Sequence, residues 1–425
     1  MTAAPGKDPR VLLAGANQRS TLGVARSLSA HGVSFVVAGP RRRSMVGCSR
    51  FVRPHVAEPA PDPITDQENY VQFLLDVVLR SGIELVVPLT DSTLSACEVH
   101  RGAIEEHARL AAAPSSAVRN VLDKRANLEL ARRLGVPCPD QFELNGLDQI
   151  PALIAEIGFP LVLKRASKLR GEPDPAPEFS WLVVHDEAEL RGSLKRYFPT
   201  GEFPIVQRQV TGAVQNVCCF AVAGAVVAAH QYASLRRLRS QGVFREITPL
   251  STDLLAYAQA LLQELRWEGV AHVGFFVGDD GDVRYMETNG RFWASTAGSV
   301  AAGWDFPYWT YEYFGLGRTP ETPQSSLGHR RRSCWHYGDL QHLVHFLAGE
   351  EVQSGAGRTR LRAVADYLSA FRPSVDSDVF RLDDPLPELV EHSRALRGAT
   401  RRFRRGLARR VFPRLRGVGP PTRRA

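Results

Sequence analysis

The chain has 425 residues, of which 44% are hydrophobic and 23% charged, a composition typical of a soluble globular protein with two or three domains. It has no apolar run near the roughly 20 residues that a membrane-spanning helix needs, and its first seven residues lack the apolar core of a secretory signal. We therefore expect a cytoplasmic protein. Its six cysteines are too sparse for a disulfide framework and lack the paired spacing of a zinc site.

The net charge of +8 at pH 7 comes from the C-terminal end of the chain. Residues 394–425 contain twelve arginines and no acidic residue, so removing them leaves a formal charge of −4 on the rest. Such a basic tail could bind an anionic membrane surface or a nucleic acid, or it could be a solvated end without a partner. The sequence leaves these alternatives open.

The first part of the chain alternates short apolar runs with helical patterns. The predicted elements are strands at 11–15, 33–39 and 85–89 and helices at 23–28 and 70–79. This alternation predicts a doubly wound parallel sheet, which we place at residues 1–115. Gly15 and Gly23 lie eight residues apart, so the first turn is not the G-x-G-x-x-G fingerprint of dinucleotide-binding proteins.

A second unit, predicted for residues 116–320, begins with a helix through Asp123 and Lys124. The predicted strands that follow are 159–165, 205–210, a buried pair within 218–229, and a hairpin of 272–277 with 283–288. Lys164 lies where the first of these strands ends, a position from which an ammonium group can reach a phosphate. The segment 169–178 is rich in proline and charge, and we expect it to form a flap over the site.

Three polar residues alternate along the segment that follows the hairpin. Glu287, Asn289 and Arg291 would project from one face of an extended strand. One carboxylate and one amide oxygen suit Mg²⁺, which usually keeps waters and phosphate oxygens in its coordination shell. A guanidinium beside them could bind a phosphoryl group in transfer. The alternative is a half-buried strand whose polar face is merely solvated.

The order of these features resembles the ATP-grasp superfamily of carboxylate ligases, and more closely its carbamoyl-phosphate-synthase-like and biotin-carboxylase-like carboxylate–amine ligases. The matching residues run from about Val11 to Phe314. The resemblance implies an α/β and α+β architecture in which the doubly wound parallel-sheet domain precedes a two-lobed ATP-grasp domain with a hinge near 205–212. A helical extension at 321–393 and the basic tail at 394–425 would follow, and a helix is predicted from Trp335 to Leu347.

The resemblance also implies a site for ATP and Mg²⁺. Its expected cofactor-binding residues are Lys124, Lys164, Gln207, Arg208, Gln209, Val210 and Gln215; its metal ligands are Glu287 and Asn289; and its catalytic residues are Arg291 and Lys164. The implied reaction is ATP-dependent activation of a small-molecule carboxylate as an acyl phosphate, which an amine substrate then attacks.

The sequence departs from the family pattern at three places. Gly274 stands where relatives usually carry a metal ligand, Gly171 is the one glycine in the flap, and Arg208 and Gln209 occupy hinge positions that are commonly acidic. A non-catalytic or weakly active ATP-binding protein of the same fold is therefore the alternative function.

Overall fold

Three β-sheets form the framework of the chain. The computed structural model describes residues 10–15, 17–39, 41–52, 61–166, 181–198, 203–239, 241–321, 331–349 and 359–393. One sheet is parallel with four strands, one is antiparallel with four strands, and the largest has seven strands. The expectation of a mixed α/β fold is confirmed, whereas the domain boundaries stay predictions. Within the described residues, no helix is both long and apolar enough to cross a membrane.

The parallel sheet lies at the N-terminal end, with strand order β2-β1-β3-β4. Its elements are β1 (Val11–Ala14), α1 (Arg19–Ala30), β2 (Phe35–Ala38), α2 (Gln67–Ser81), β3 (Leu85–Pro88), α3 (Asp91–Val99), α4 (Arg101–Glu105) and β4 (Arg109–Leu110). Val11 and Leu13 pack in one hydrophobic cluster with α1, while Leu12 packs in another with α2. Helices thus cover both faces of the sheet, which explains why its strands are continuous apolar runs.

The smaller antiparallel sheet has strand order β5-β8-β6-β7. The elements of this part are α5 (Ser115–Leu122), α6 (Lys124–Arg133), β5 (Gln141–Phe142), α7 (Ile150–Glu156), β6 (Leu161–Lys164), β7 (Trp181–Val184), α8 (Glu187–Tyr197) and β8 (Ile205–Arg208). Leu161, Leu163 and Val206 fill a core on one face of this sheet. Lys164 and Gln207 alternate with those residues and therefore belong to the opposite face.

The seven-stranded sheet has the order β13-β12-β9-β10-β11-β14-β15. Its central elements are β9 (Ala213–Val222), β10 (Ala225–Leu238), β11 (Gln241–Thr248), α9 (Thr252–Glu264), β12 (Gly269–Val277) and β13 (Val283–Asn289). Strand β9 is buried on both faces: Cys218 and Cys219 are both inaccessible to solvent and belong to different hydrophobic clusters. Adjacent side chains of a strand point to opposite faces, which explains why the two cysteines reach different clusters.

The C-terminal part differs from the helical extension that the sequence predicts. Its elements are α10 (Thr296–Ala301), α11 (Phe306–Thr310), β14 (Arg332–Cys334), α12 (His336–Leu347), α13 (Arg360–Ser369) and β15 (Val375–Ser377). The predicted helix at 335–347 is present as α12. However, β14 pairs with β11 and β15 pairs with β14, so this region extends the large sheet. Three-residue strands with the sequences Arg-Ser-Cys and Val-Asp-Ser are too short to show the apolar alternation that marks a strand.

Candidate active site

A cavity of about 500 Å³ lies between the large sheet and the N-terminal ends of α1 and α3. The residues that line it include the three polar residues of the Glu287 segment, together with Lys124, Arg165 and Arg237. The N-terminal helices contribute Arg19, Asp91 and their neighbours from the opposite side. This cavity therefore has an excess of basic side chains and contacts both the large sheet and the parallel-sheet domain.

Glu287 and Asn289 alternate on β13 as predicted, whereas Arg291 lies in a bend just after the strand ends. The three side chains nevertheless form one network. The Asn289 amide nitrogen donates to Glu287 Oε1 at 3.0 Å, and Arg291 donates to Asn289 Oδ1 at 3.4 Å. With this amide orientation, the Asn289 oxygen faces a guanidinium and its nitrogen faces the carboxylate. For Glu287 and Asn289 both to bind one cation through oxygen, the Asn289 amide must rotate by half a turn or Arg291 must move away from its oxygen.

Arg291 is held by a carboxylate from the parallel-sheet domain. Asp91, the first residue of α3, accepts two bonds from its guanidinium, at 3.3 and 3.0 Å. Burial alone would lower the pKa of Arg291, but Asp91 and then Glu287 outweigh that effect and the net pKa is raised. The pair joins residues 200 positions apart, and no local sequence pattern indicates it.

A β-bulge shapes the strand that carries Glu287. Gly274 of β12 pairs with Glu287, but the next residue, Phe275, pairs with Tyr285, so Met286 is an extra residue in β13. Met286 consequently lines the cavity beside Glu287, while Tyr285 is buried on the other face and bonded to Thr288. Bulges often re-aim side chains beside functional sites.

Gly274, which stands where relatives usually carry a metal ligand, lies next to a buried amide side chain. Strand pairing places Asn216 of β9, Gly274 and Glu287 in one row across three strands. A Cβ at residue 274 would lie 3.3 Å from Asn216 Oδ1 and 2.5 Å from the terminal methyl of Met286. Asn216 is 3% exposed and lines the cavity, so its amide is a candidate functional group that the sequence analysis missed. Only the register of β9 against β12 reveals it.

The two lysines lie near this row of polar residues. Asp123 caps α6 through bonds to the backbone N–H groups of Arg125 and Ala126, so Lys124 is the first helical residue. The Lys124 backbone N–H donates to the carbonyl of Ala166 at 2.7 Å, which ties α6 to the chain just after Lys164. Burial, and then the charge of Lys124, lower the pKa of Lys164 to about 8, while Glu287 opposes the shift.

His272 also faces the cavity, beside Asn289 in the pairing of β12 with β13. Its Nε2 lies 2.8 Å from the Tyr232 hydroxyl, and its ring stacks on Trp293. Burial, and then the charge of Arg291, lower its pKa to about 3, so the imidazole is neutral.

Comparison with known proteins places this geometry in a known fold. The carbamoyl phosphate synthase large chain from one strain of Thermus thermophilus is 32% identical over 118 residues, which are 27% of this chain and 11% of the relative. The large chain from a second strain of the same species is 31% identical over 118 residues. The match therefore spans about a tenth of these curated relatives. No family model matches the chain.

Solved structures match over far more of the chain. Biotin carboxylase from Campylobacter jejuni gives a TM-score of 0.61 at 14% identity, over 77% of this chain and 74% of that protein. The biotin carboxylase domain of Hydrogenobacter thermophilus 2-oxoglutarate carboxylase gives 0.60 at 16% identity, over 76% and 73%. An N5-carboxyaminoimidazole ribonucleotide synthetase gives 0.60 at 16% identity, over 85% and 96%.

The chain has the ATP-grasp fold. The resemblance drawn from its motifs is thereby confirmed at the level of fold. Structural matches below 20% identity establish a shared fold and do not establish a shared activity.

Within the ATP-grasp fold, the expected hinge residues lie in different environments. Gln207 is 1% exposed, and its amide nitrogen lies 3.4 Å from Gln141 Oε1. The backbone N–H groups of Arg208 and Gln209 donate to the carbonyls of Asp140 and Pro160. These two N–H groups cannot donate to a base unless those bonds break.

A second cavity, of about 610 Å³, opens beside the hinge and is lined by Arg208, Gln209 and Val210. Gln215, which the resemblance implied as a cofactor-binding residue, is not brought to either cavity. It alternates with Val214 and Asn216 of β9, which face the main cavity, and it accepts a bond from Gln231 at 3.1 Å on the face that carries α9. The predicted flap at 169–178 lies outside the described residues.

Proposed function

We propose that this protein is a Mg²⁺-dependent ligase that uses ATP to activate a small-molecule carboxylate as an acyl phosphate, which an amine then attacks. The observation that carries the proposal is the convergence of Glu287, Asn289, Arg291 and Lys124 on one cavity of about 500 Å³. The names of the similar proteins support it, since they are carboxylases and synthetases and two of the structures contain ADP.

The lysines would bind the phosphates of ATP. Lys164 has a lowered pKa because it is buried near Lys124, so the two basic groups repel each other. A polyphosphate between them removes that repulsion and favours the ammonium form of both. The lysines therefore hold the nucleotide and supply positive charge where negative charge accumulates during transfer.

The residues at this site suit Mg²⁺ completed by phosphate oxygens better than a metal whose ligands all come from protein side chains. The described part of the chain contains no group of three or more His, Cys, Asp or Glu side chains that could hold a metal. Mg²⁺ needs only one or two carboxylates when phosphates complete its shell. Glu287, Asn289 and Asn216 offer one carboxylate and two amides, and a bound Mg²⁺ would neutralise charge on the transferring phosphate.

In the proposed reaction, a carboxylate oxygen of the substrate bonds to the γ-phosphorus as the bond to the ADP oxygen breaks. Arg291 lies where it can stabilise the phosphoryl oxygens, once it is released from Asp91. The amine then bonds to the carbonyl carbon, loses a proton, and inorganic phosphate leaves. The cavity must exclude water at this stage, because water would hydrolyse the acyl phosphate.

Calorimetry of ATP binding, with and without Mg²⁺, tests the proposal. We expect Mg²⁺-dependent binding by the wild type, loss of that binding in Lys164→Ala, and unchanged binding in Lys195→Ala, which removes an exposed lysine of α8. Carboxylates and amines can then be screened for ADP release. Absence of ATP binding by the folded wild type would refute the proposal.

Gly274 favours a second candidate function, which is nucleotide binding with little or no ligase activity. The experiment is Gly274→Glu, which the structure accommodates if the flexible Met286 methyl turns away. If a lost ligand limits catalysis, this variant should release ADP faster than the wild type at equal Mg²⁺. If Asn216 already supplies the missing oxygen, Gly274→Glu should give no gain, and Asn216→Ala should weaken Mg²⁺-dependent ATP binding.

A further inference from the structure

A side chamber of about 200 Å³ opens beside the main cavity. The two share Gln18, Arg19, Gln241 and Ala294, so a ligand can extend from one into the other. The chamber is completed by Asn17 and Met45 from the parallel-sheet domain and by Trp335 and Glu391 from the C-terminal part. The last four do not line the main cavity.

The junction between the two compartments carries an excess positive charge. Arg19 and Arg245 both bind the buried Asp378, with nitrogen to oxygen distances of 2.9 and 3.0 Å. Two guanidinium groups thus share one carboxylate, and both arginines also line the main cavity. Arg19 is 7% exposed, and burial, opposed by Asp378, lowers its pKa to about 10. A carboxylate from a ligand would balance the second guanidinium and accept charge-assisted hydrogen bonds from it.

The far wall of the chamber has the opposite character. The Trp335 indole N–H donates to Glu391 Oε2 at 2.9 Å, and the Arg19 guanidinium lies 3.8 Å above the Trp335 ring. Burial raises the pKa of Glu391 to about 7. A cationic group in the chamber would hold this carboxylate in its ionised form.

We propose that the chamber selects an α-amino acid with a basic side chain as the amine substrate. Its carboxylate binds between Arg19 and Arg245, its side chain enters the chamber toward Trp335 and Glu391, and its α-amino group remains in the main cavity. The inference rests on the proposed ligase function, because it assigns the α-amino group as the nucleophile. It excludes acidic side chains, which Glu391 would repel.

Calorimetry on the full-length protein, without nucleotide, tests this with four probes: L-arginine, L-argininamide, L-leucine and L-glutamate. We expect L-arginine to bind most tightly. Argininamide lacks the carboxylate and leucine lacks the cation, so each should bind at least about tenfold more weakly, the range expected for one charged hydrogen bond. L-Glutamate should bind most weakly of the four.

Glu391→Gln should weaken L-arginine binding about tenfold while leaving L-leucine binding unchanged. Glu268→Gln is the matched control, because Glu268 also accepts a bond from an aromatic side chain, that of Tyr313, and does not line either compartment. If Glu391→Gln does not fold, the four probes on the wild type still decide the question.

Equal binding of the four probes, or no L-arginine binding at millimolar concentration by protein that binds Mg²⁺-ATP, would overturn the chamber assignment and leave the proposed function standing. L-Arginine binding by protein that does not bind ATP would instead overturn the proposed function.

Discussion

Replacement of Lys164 by methionine should stabilise the protein at neutral pH while removing ATP binding. Lys164 is a partly buried ammonium near a second lysine, and these two effects lower its pKa from 10.5 to about 8. Methionine keeps the length and apolar stem of lysine without the charge. Like charges that are kept close together to bind a ligand destabilise the protein without the ligand. Removing one of them should therefore raise stability and lower binding.

The magnitude follows from the pKa difference. A difference of about 2.5 at about 1.4 kcal/mol per pKa unit gives an upper limit of about 3 kcal/mol, and partial exposure of the side chain reduces the expected gain to about 1–3 kcal/mol. The sign depends on pH. Below pH 8 the lysine is charged in both the folded and unfolded states, so the folded state bears the full penalty. Between pH 8 and 10.5 the folded state loses its proton first, and the penalty disappears.

Urea denaturation of the wild type and Lys164→Met at several pH values measures this. The difference in free energy of unfolding should be largest at pH 6–7 and should vanish as the pH rises from about 8 toward 10.5. Lys195→Met, an exposed lysine on α8, controls for replacement of a lysine as such. A Lys164→Met protein that is no more stable than the wild type at pH 7, or a difference that does not change with pH, would refute the reasoning.

Three further predictions concern other parts of the chain. Asp91→Ala should lower stability by less than about 1 kcal/mol, because its ion pair with Arg291 is about a quarter exposed, yet it should tighten inorganic phosphate binding measured by calorimetry; unchanged or weaker binding would contradict this. Tyr285→Phe should cost about 1–2 kcal/mol in urea denaturation, since it removes a buried hydroxyl that two side chains share, and a cost near zero would show that they find other partners. Deletion of 394–425 should abolish salt-sensitive binding to anionic vesicles or RNA if the basic tail has such a partner, and retained binding would exclude the tail.

Local patterns predict the elements of this fold well where periodicity is strong. The apolar runs of the parallel sheet and the alternation of Glu287 and Asn289 follow from the geometry of a strand alone. These features depend on residues within about one turn or one strand of each other. The single helix predicted through Asp123 and Lys124 was wrong: the chain is extended at Asp123, which ends α5 and caps the start of α6.

The features that the sequence could not predict depend on register and on distant partners. Asp91 meets Arg291 only because the parallel-sheet domain packs against the large sheet. Met286 reaches the cavity because of a β-bulge, and no residue in the hairpin predicts that bulge. The placement of Gln215 away from the cavity also escaped prediction, because a strand buried on both faces shows no alternation that tells which side faces the cavity.

The register of the large sheet also affects whether the absence of a ligand side chain at residue 274 would abolish the proposed ligase activity. A strand-to-strand row places side chains about 5 Å apart, so a ligand lost from the middle of a row has neighbours on both sides within reach of one cation. Here those neighbours are Asn216 and Glu287. The absence of a Cβ at residue 274 also leaves the space that the Met286 methyl now fills. Because Mg²⁺ tolerates an amide oxygen or a water in place of a second carboxylate, the row keeps the chemical requirements of a metal site with less negative charge. Weaker Mg²⁺ binding in the absence of nucleotide, rather than loss of the reaction, is the consequence that we expect from this substitution.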